Sequence, residues 1–255
     1  MKQLMLWKHV IFVDWHGVLS RDPFWTSIRE SSTHPLQPQL EAKLGWVFSN
    51  ENMAHDWMRG VLSSEEVISG MDVWLDRRFR DDFLSRRLDI DCARMRVNVE
   101  LFQTLRRLRS QAMIVLATDN MDCFAKTFNA ARGSRRRLDN ASRTLAEWAV
   151  ICDDIICSSD VGALKAEDPV GFFGPWLAEC GLDFSDALLI DDRADNCQAF
   201  ELQGGSTILW KMGKNEVSEA EEAVGRWLDV RNTGGHSSDI EIQRIQESSP
   251  FPMMR

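Results

Sequence analysis

Polar residues that could do chemistry follow four short apolar segments of the sequence. They are, in chain order, Asp14 after residues 10–13, Thr118 after residues 113–116, Lys165 after residues 155–157, and Asp191 with Asp192 after residues 187–190. A carboxylate can attack an electrophile or bind a hard cation, a lysine supplies positive charge, and a hydroxyl can hold an anion. Together these residues form the inventory of an active site.

The apolar segments predict the elements that must position these residues. Their apolarity is continuous rather than alternating, which is typical of strands buried on both faces of a parallel sheet. A fifth, weaker segment covers residues 207–210. In open α/β sheets, ligands bind beyond the carboxyl ends of the strands. We therefore expect the polar residues to meet at one edge of the sheet.

Helical patterns separate the predicted strands. They comprise residues 98–109 with an apolar face, a helix capped by Asp168 with Pro169 at its first position and ending near Gly181, and a capping box of Ser218 and Glu221. Gly174 and Pro175 interrupt the second of these, which predicts two short helices there. Alternating strands and helices favour a doubly wound, Rossmann-like α/β core.

Residues 20–97 break this alternation. They contain helical signals, such as the capping box of Ser63 and Glu66 followed by apolar residues up to Leu75, but no convincing strand. The sequence therefore predicts an inserted α-helical cap at 20–97, a core formed by 1–19 and 98–231, and a flexible tail at 232–255. The four Trp residues of the insertion are expected to be mainly buried, with Trp25 a candidate to line the substrate cleft.

The order of these motifs resembles the haloacid dehalogenase (HAD) superfamily. The matching positions are Asp14, Val18 and Leu19 for its first motif, Thr118 for the second, Lys165 for the third, and Asp191, Asp192 and Asn196 for the fourth. The resemblance runs from residue 9 to about residue 210, and the insertion stands where that family often carries its cap.

The resemblance implies a role for each matched residue. Asp14 would attack phosphorus and form an aspartyl-phosphate. Asp14, Asp191, Asp192 and the backbone carbonyl of His16 would hold Mg²⁺. Thr118 and Lys165, with the backbone amides of Asp119 and Asn120, would bind the phosphate, and Asn196 would orient Lys165. The expected reaction is Mg²⁺-dependent hydrolysis of a small phosphorylated metabolite.

His16 departs from the family pattern, because phosphatases of the superfamily usually place a second Asp there as the general acid and base. An imidazole can do both jobs near neutral pH. The departure leaves other reactions open: phosphate transfer to another acceptor, hydrolysis of a carbon–phosphorus or carbon–halogen bond, or binding of a phosphorylated ligand without turnover. The acidic pair Asp191–Asp192 argues for a metal and so against metal-free dehalogenation. Ala166, where a Pro commonly follows the Lys, concerns loop geometry.

Composition and charge limit the classes of partner. The formal net charge of −9 disfavours nucleic acid and anionic membranes as partners. Six Cys without CxxC spacing indicate reduced thiols rather than a zinc site or a disulfide framework. Lys8 and His9 split the only apolar run near the N-terminus, so we expect neither a signal peptide nor a membrane span, and a cytoplasmic protein. The sequence gives no indication of oligomeric state.

Overall fold

The computed structural model describes residues 7–133, 144–214 and 216–232. Except for residue 232, the predicted tail at 232–255 lies outside the described residues. All six cysteines are within them, and no disulfide joins any two of the six, as the sequence predicted. No helix in the described ranges has the length and apolarity needed to cross a bilayer.

A five-stranded parallel sheet forms the centre of the molecule. Its strands are β1 (Val10–Val13), β2 (Met113–Thr118), β3 (Asp154–Cys157), β4 (Ala187–Asp191) and β5 (Ser206–Leu209), arranged in the order β3-β2-β1-β4-β5. All five residues of β4 and all four of β1 are buried, which explains their continuous apolarity. The predicted doubly wound α/β fold is therefore confirmed.

The stretch that was predicted to be inserted after β1 forms five helices: α1 (Thr26–Arg29), α2 (Gln37–Ser49), α3 (Glu51–Met58), α4 (Ser64–Met71) and α5 (Phe83–Ala93). The remaining helices are α6 (Val99–Leu108), α7 (Asp122–Gly133), α8 (Leu145–Ile151), α9 (Ser158–Val161), α10 (Pro169–Cys180), α11 (Ala194–Leu202) and α12 (Val217–Asn232), with a 3₁₀ turn at Phe184–Asp186. From α6 onward, helical segments of one or two helices alternate with the strands, as the sequence pattern predicted.

Three local predictions were wrong. Helix α10 is continuous across Gly174 and Pro175, because a buried face that includes Phe172, Phe173 and Leu177 holds it against the sheet. Helix α4 begins with the predicted capping box but ends at Met71, where Asp72 adopts a left-handed conformation with φ 48°. Helix α12 begins at Val217, so Ser218 lies inside its first turn and not at its cap.

The two faces of the sheet bury different side chains. Phe12, Val115 and Leu189 pack on one face against α10 and α11. Ile11 and Val13 point to the opposite face, where they belong to one continuous core with α6, α7, α8 and α12. Successive side chains of a strand point to opposite faces of the sheet, so every residue of a central strand packs against one of the two helical layers.

The inserted helices share the second of these cores. Their buried residues, among them Trp57 and Leu88, belong to the same continuous cluster as Ile11 and Val13 of β1. Two of the four Trp residues in the insertion, Trp25 and Trp57, are fully buried, whereas Trp46 and Trp74 are 48% and 69% exposed. The expectation of mainly buried Trp residues thus holds for half of them. The division of the chain into core, cap and tail stays a prediction.

Candidate active site

The register of the sheet brings Asp14 and Asp191 together. Val13 of β1 pairs with Ile190 of β4, so the next residue on each strand is one of these two aspartates. The backbone N–H of Asp14 donates to the Ile190 carbonyl oxygen at 2.9 Å, which continues the strand pairing to the point where the carboxylates begin. After these parallel strands the chain continues from β1 to β2 on one side and from β4 to β5 on the other. Open α/β sheets bind ligands at such a switch point in the strand order.

Lys165 is buried between these carboxylates, with 1% of its side chain exposed. Its Nζ lies 2.9 Å from Asp14 Oδ1 and 2.5 Å from Asp191 Oδ2, and it also donates to the Ala117 carbonyl oxygen at 3.2 Å. The Lys165 backbone N–H donates to Asp119 Oδ1 at 3.0 Å, which fixes the loop that carries the lysine. Burial alone would lower the pKa of Lys165, but the surrounding carboxylates raise it, so the ammonium stays charged.

Carboxylate oxygens of Asp14, Asp191 and Asp192 lie within 4.8 Å of one another. Burial raises the pKa of Asp14 to about 7, with the nearby Asp191 adding to the shift against the opposing effect of Lys165. Burial and Asp191 also raise the pKa of Asp192. Three close carboxylates facing a single lysine leave an excess of negative charge that a divalent cation would neutralise, and hard oxygen donors suit Mg²⁺.

Asp191 and Asp192 differ in how many hydrogen bonds their carboxylate oxygens already accept. Asp191 accepts from Lys165 Nζ, from the Arg193 N–H at 2.9 Å, and from Asn196 Nδ2 at 3.1 Å. Asp192 makes no such side-chain bonds within the described residues, and its Oδ2 would lie 2.0 Å from a Cβ placed on Gly17. Asp14 and Asp192 are therefore the less engaged oxygen donors for a cation, and Asp191 serves mainly to hold Lys165.

Asn196 reaches Lys165 through the Asp191 carboxylate. Its Nδ2 contacts both Asp191 oxygens, and Asp191 Oδ2 in turn lies 2.5 Å from Lys165 Nζ. The role of Asn196 in orienting Lys165 stays a prediction. Asn196 is buried, one turn into α11, so the helix that follows β4 stabilises the carboxylate at the end of the same strand.

Thr118 and Asn120 form the wall of the site at the end of β2. Thr118 Oγ1 lies 3.3 Å from Asn120 Nδ2, and both residues are 1% exposed. The Asn120 backbone N–H donates to Ser158 Oγ at 2.8 Å, so it already has a partner and is not a free donor for phosphate. The Met121 N–H donates to Asn120 Oδ1 at 3.1 Å, which directs the Asn120 side-chain amide nitrogen into the site.

His16 lies beside this wall with both ring nitrogens in contact. Its Nε2 is 3.2 Å from the carbonyl oxygen of Asp22, and its Nδ1 is 3.4 Å from Asn120 Nδ2. A carbonyl only accepts, so the geometry assigns the ring proton to Nε2 and leaves the Nδ1 lone pair facing Asn120. Burial lowers the pKa of His16 to about 4, against smaller opposing effects from Asp22, so the imidazole is neutral near pH 7.

The insertion covers this edge of the sheet. The Phe24 ring centroid lies 5.4 Å from that of His16, and Phe24 in turn neighbours Trp57 at 6.5 Å. On the far side, Ser158 Oγ donates to the Met58 carbonyl oxygen at 2.6 Å, which ties the end of α3 to the residue after β3. Groups of the insertion and polar groups of the core therefore contact each other at this edge of the sheet.

The structure brings together all the residues that the sequence placed at strand ends, adds Ser158 and Asp22, and gives the side chain of Asn120 a role that the sequence did not predict. Ser158 directly follows β3 and joins Asn120 to the insertion, so reading the first residue after that strand would have found it. The side-chain role of Asn120 and the contact of Asp22 with His16 depend on loop conformation, for which the sequence carries no comparable signal.

No protein-family model matches the sequence, and no curated protein sequence matches it significantly. Solved structures match along most of its length. A predicted HAD-like family hydrolase from Porphyromonas gingivalis is 18% identical, with a TM-score of 0.59, and the match covers 85% of this chain and 97% of that one.

Two further solved structures share this fold. A HAD-family enzyme from Bacteroides thetaiotaomicron, in complex with magnesium and inorganic phosphate, is 16% identical with a TM-score of 0.56, covering 81% of this chain and 96% of its own. A 2-haloacid dehalogenase from Pseudomonas syringae pv. Tomato DC3000 is 15% identical with a TM-score of 0.51, covering 86% and 99%. The chain therefore has the HAD-like fold, as its motifs predicted.

Proposed function

We propose that this chain, which has the HAD-like fold, is a Mg²⁺-dependent hydrolase that removes phosphate from a small phosphorylated metabolite. The observation that carries the proposal is the convergence of Asp14, Asp191 and Asp192, whose carboxylate oxygens lie within 4.8 Å, around the buried ammonium of Lys165. A dianionic phosphate approaching a carboxylate nucleophile needs positive charge at that point, and this cluster provides one cation and ligands for another.

Asp14 is the nucleophile in the proposed reaction. Its carboxylate oxygen forms a bond to phosphorus while the bond from phosphorus to the leaving oxygen breaks, which yields an aspartyl-phosphate and an alcohol. Lys165 and the donors at the end of β2, including Asn120 Nδ2, hold the phosphate oxygens. When bound, Mg²⁺ supplies further neutralisation of the phosphate charge. Attack of water on the phosphorus then releases phosphate and restores the Asp14 carboxylate.

His16 takes the base role in the second step. With the Nε2 proton donated to the Asp22 carbonyl oxygen, the Nδ1 lone pair faces Asn120 Nδ2 at 3.4 Å. When Asn120 Nδ2 binds a phosphate oxygen instead, this lone pair accepts the proton of the attacking water. The same tautomer offers the leaving oxygen no proton at Nδ1, so that oxygen departs as an anion and takes a proton from solvent. Substrates with a weakly basic leaving oxygen, such as aryl or enol phosphates, are expected to react faster than simple alkyl phosphates.

The test is phosphate release from a panel of aryl and alkyl phosphomonoesters, with Mg²⁺ and with EDTA. We expect Mg²⁺-dependent release that falls roughly a thousandfold or more in Asp14→Asn, because the nucleophile is lost. Asp153→Asn is the control, since Asp153 is an ion-paired carboxylate at the opposite end of the sheet, 2.5 Å from Arg109. Equal activity of Asp14→Asn and wild type would contradict the proposal.

A second candidate function uses the same nucleophile, Asp14, to break a carbon–halogen bond. His16 removes the second carboxylate that a phosphatase of this fold usually has, and a 2-haloacid dehalogenase is among the structures with the same fold. In that case Asp14 would displace halide from carbon without a metal. Halide release from a 2-chloro acid in EDTA, with no phosphate release from any ester, would favour this candidate, and so would the lack of a Mg²⁺ effect on stability.

A further inference from the structure

Two segments of the chain connect the sheet to the inserted helices, and they run side by side next to the site. The first, residues 14–25, leads from β1 to α1, and the second, residues 94–98, leads from α5 to α6. The Asn98 N–H donates to the Leu19 carbonyl oxygen at 2.6 Å, which joins them at the end nearest the sheet.

A pair of oppositely charged residues joins the same two segments. The Asp22 carboxylate accepts from Arg96 at three donors: the backbone N–H at 2.7 Å, Nε at 2.9 Å and Nη2 at 2.6 Å. The Asp22 side chain is 9% exposed, and the Asp22 backbone N–H donates to Ser20 Oγ at 3.2 Å. Contacts on both sides of its Cα therefore hold the Asp22 backbone in place.

The carbonyl of this same Asp22 is the group that accepts from His16 Nε2, at 3.2 Å. His16 also pairs through its backbone with Ser20, in a short parallel bridge. The Asp22 carbonyl is thus the contact that keeps the ring proton on Nε2 and turns Nδ1 toward Asn120. Arg96 does not touch the site, yet it fixes the residue that orients the site's imidazole.

We propose that Arg96 and Asp22 are positioning residues for His16. Their ion pair, which joins the two connecting segments, determines which ring nitrogen carries the proton and how the ring is oriented. This inference rests on the proposed function for its kinetic consequence, although the ring orientation can be measured without any substrate. A purely structural ion pair would stabilise the chain but would leave the orientation of His16 unchanged.

The kinetic test compares Arg96→Met with Arg96→Lys, using Arg94→Met as the matched control. Arg94 lies on the same segment, is exposed, and makes no ion pair with the described residues. We expect Arg96→Met to lower kcat about tenfold with KM within about twofold, since a base that is misdirected slows the chemical step rather than binding. Arg96→Lys keeps the charge and should recover part of the loss.

A double-mutant cycle separates positioning from general damage. In a His16→Ala background, Arg96→Met should lower kcat no further, because the ring through which it acts is gone. An undiminished tenfold loss in that background would overturn the proposal. If Arg96→Met does not fold, the same comparison is made with Arg96→Lys in the wild-type and His16→Ala backgrounds.

Nitrogen NMR of the isotopically labelled protein, without substrate, reports which ring nitrogen of His16 carries the proton. We expect the proton on Nε2 in wild type and in Arg94→Met, and a mixture of Nε2 and Nδ1 tautomers in Arg96→Met. An unchanged Nε2 tautomer in Arg96→Met would overturn the positioning role. If wild type releases no phosphate, the proposed function fails, whereas the NMR comparison still decides the role of Arg96.

Discussion

Gly17 occupies a position where any side chain would collide with the candidate metal site. Its backbone has φ +83°, and an added Cβ would lie 2.0 Å from Asp192 Oδ2. The left-handed conformation already favours glycine, because other residues adopt it at a cost. The close approach adds a second reason, since it lets the loop after β1 lie directly against the carboxylate of the loop after β4.

We therefore predict that Gly17→Ala weakens Mg²⁺ binding by about tenfold or more, because the methyl group displaces Asp192. Isothermal titration of Mg²⁺ measures the effect. Gly181→Ala is the control: Gly181 has a similar φ of +69° at the end of α10, but no atom lies within 4 Å of its added Cβ. A similar loss of affinity in both variants would mean that backbone strain, and not the collision, is responsible.

At the level of elements, one carboxylate joins the insertion to the core helix α7. Asp122, in the first turn of α7, accepts from the Ser64 backbone N–H at 3.0 Å and from the Ser64 hydroxyl, at the start of α4. It also accepts from Lys126 at 2.8 Å, one turn further along α7. Burial raises the pKa of Asp122, but the bonds to Lys126 and Ser64 outweigh it and leave the pKa below its usual value.

A carboxyl group with a lowered pKa stabilises the folded state above its unfolded pKa, and this contribution is lost as the pH falls through the folded value. Asp122→Asn should therefore lower the free energy of unfolding by roughly 1 kcal/mol near neutral pH. The difference from wild type should shrink as the pH falls below about 4. Urea unfolding at several pH values measures it.

The control for this prediction is Asp76→Asn. Asp76 pairs at 2.5 Å with Arg78 inside the insertion, and this pair joins no two helices. An exposed local pair contributes little to stability, so its loss should have a smaller effect. If the Asp122→Asn difference stayed constant down to acid pH, the ionised carboxylate would not be the source of the stabilisation.

For the molecule as a whole, the shared core predicts a single unfolding transition. Leu88 of α5 is 1% exposed and belongs to the same continuous cluster as Ile11 and Val13 of β1. Leu88→Ala should lower the free energy of unfolding by about 2–5 kcal/mol. Because the insertion and the sheet share that core, the melting of both should shift together.

Calorimetry with hydrogen exchange in β1 and in α5 checks this prediction. Ile90→Ala is the control, since Ile90 lies on the same helix but is 40% exposed. Its substitution should change the free energy of unfolding by roughly 0.5 kcal/mol or less. Two separated transitions, with protection of β1 unchanged in Leu88→Ala, would show that the insertion unfolds as an independent unit.

Local sequence patterns were sufficient to predict the central strands and the edge at which their polar residues meet. Burial on both faces demands continuous apolarity, so β1 and β4 were visible as apolar segments. Each segment is followed directly by a carboxylate, Asp14 after residues 10–13 and Asp191 after residues 187–190. Parallel strands end at one edge, which made the meeting of Asp14 with Asp191 predictable before any coordinates. The capping box of Ser63 and Glu66 was equally local, and it is present.

The partner that each of these residues contacts depends on the tertiary structure and could not be predicted from local patterns. Continuity of α10 through Pro175 depends on packing against the sheet, which outweighs the local preference of Gly and Pro to break a helix. Asn196 contacts Asp191 rather than Lys165, and Arg96 reaches His16 through Asp22, 74 residues away in the chain. Contacts of this kind depend on loop conformations and on side chains brought together from distant segments, for which a single sequence has no periodic signal.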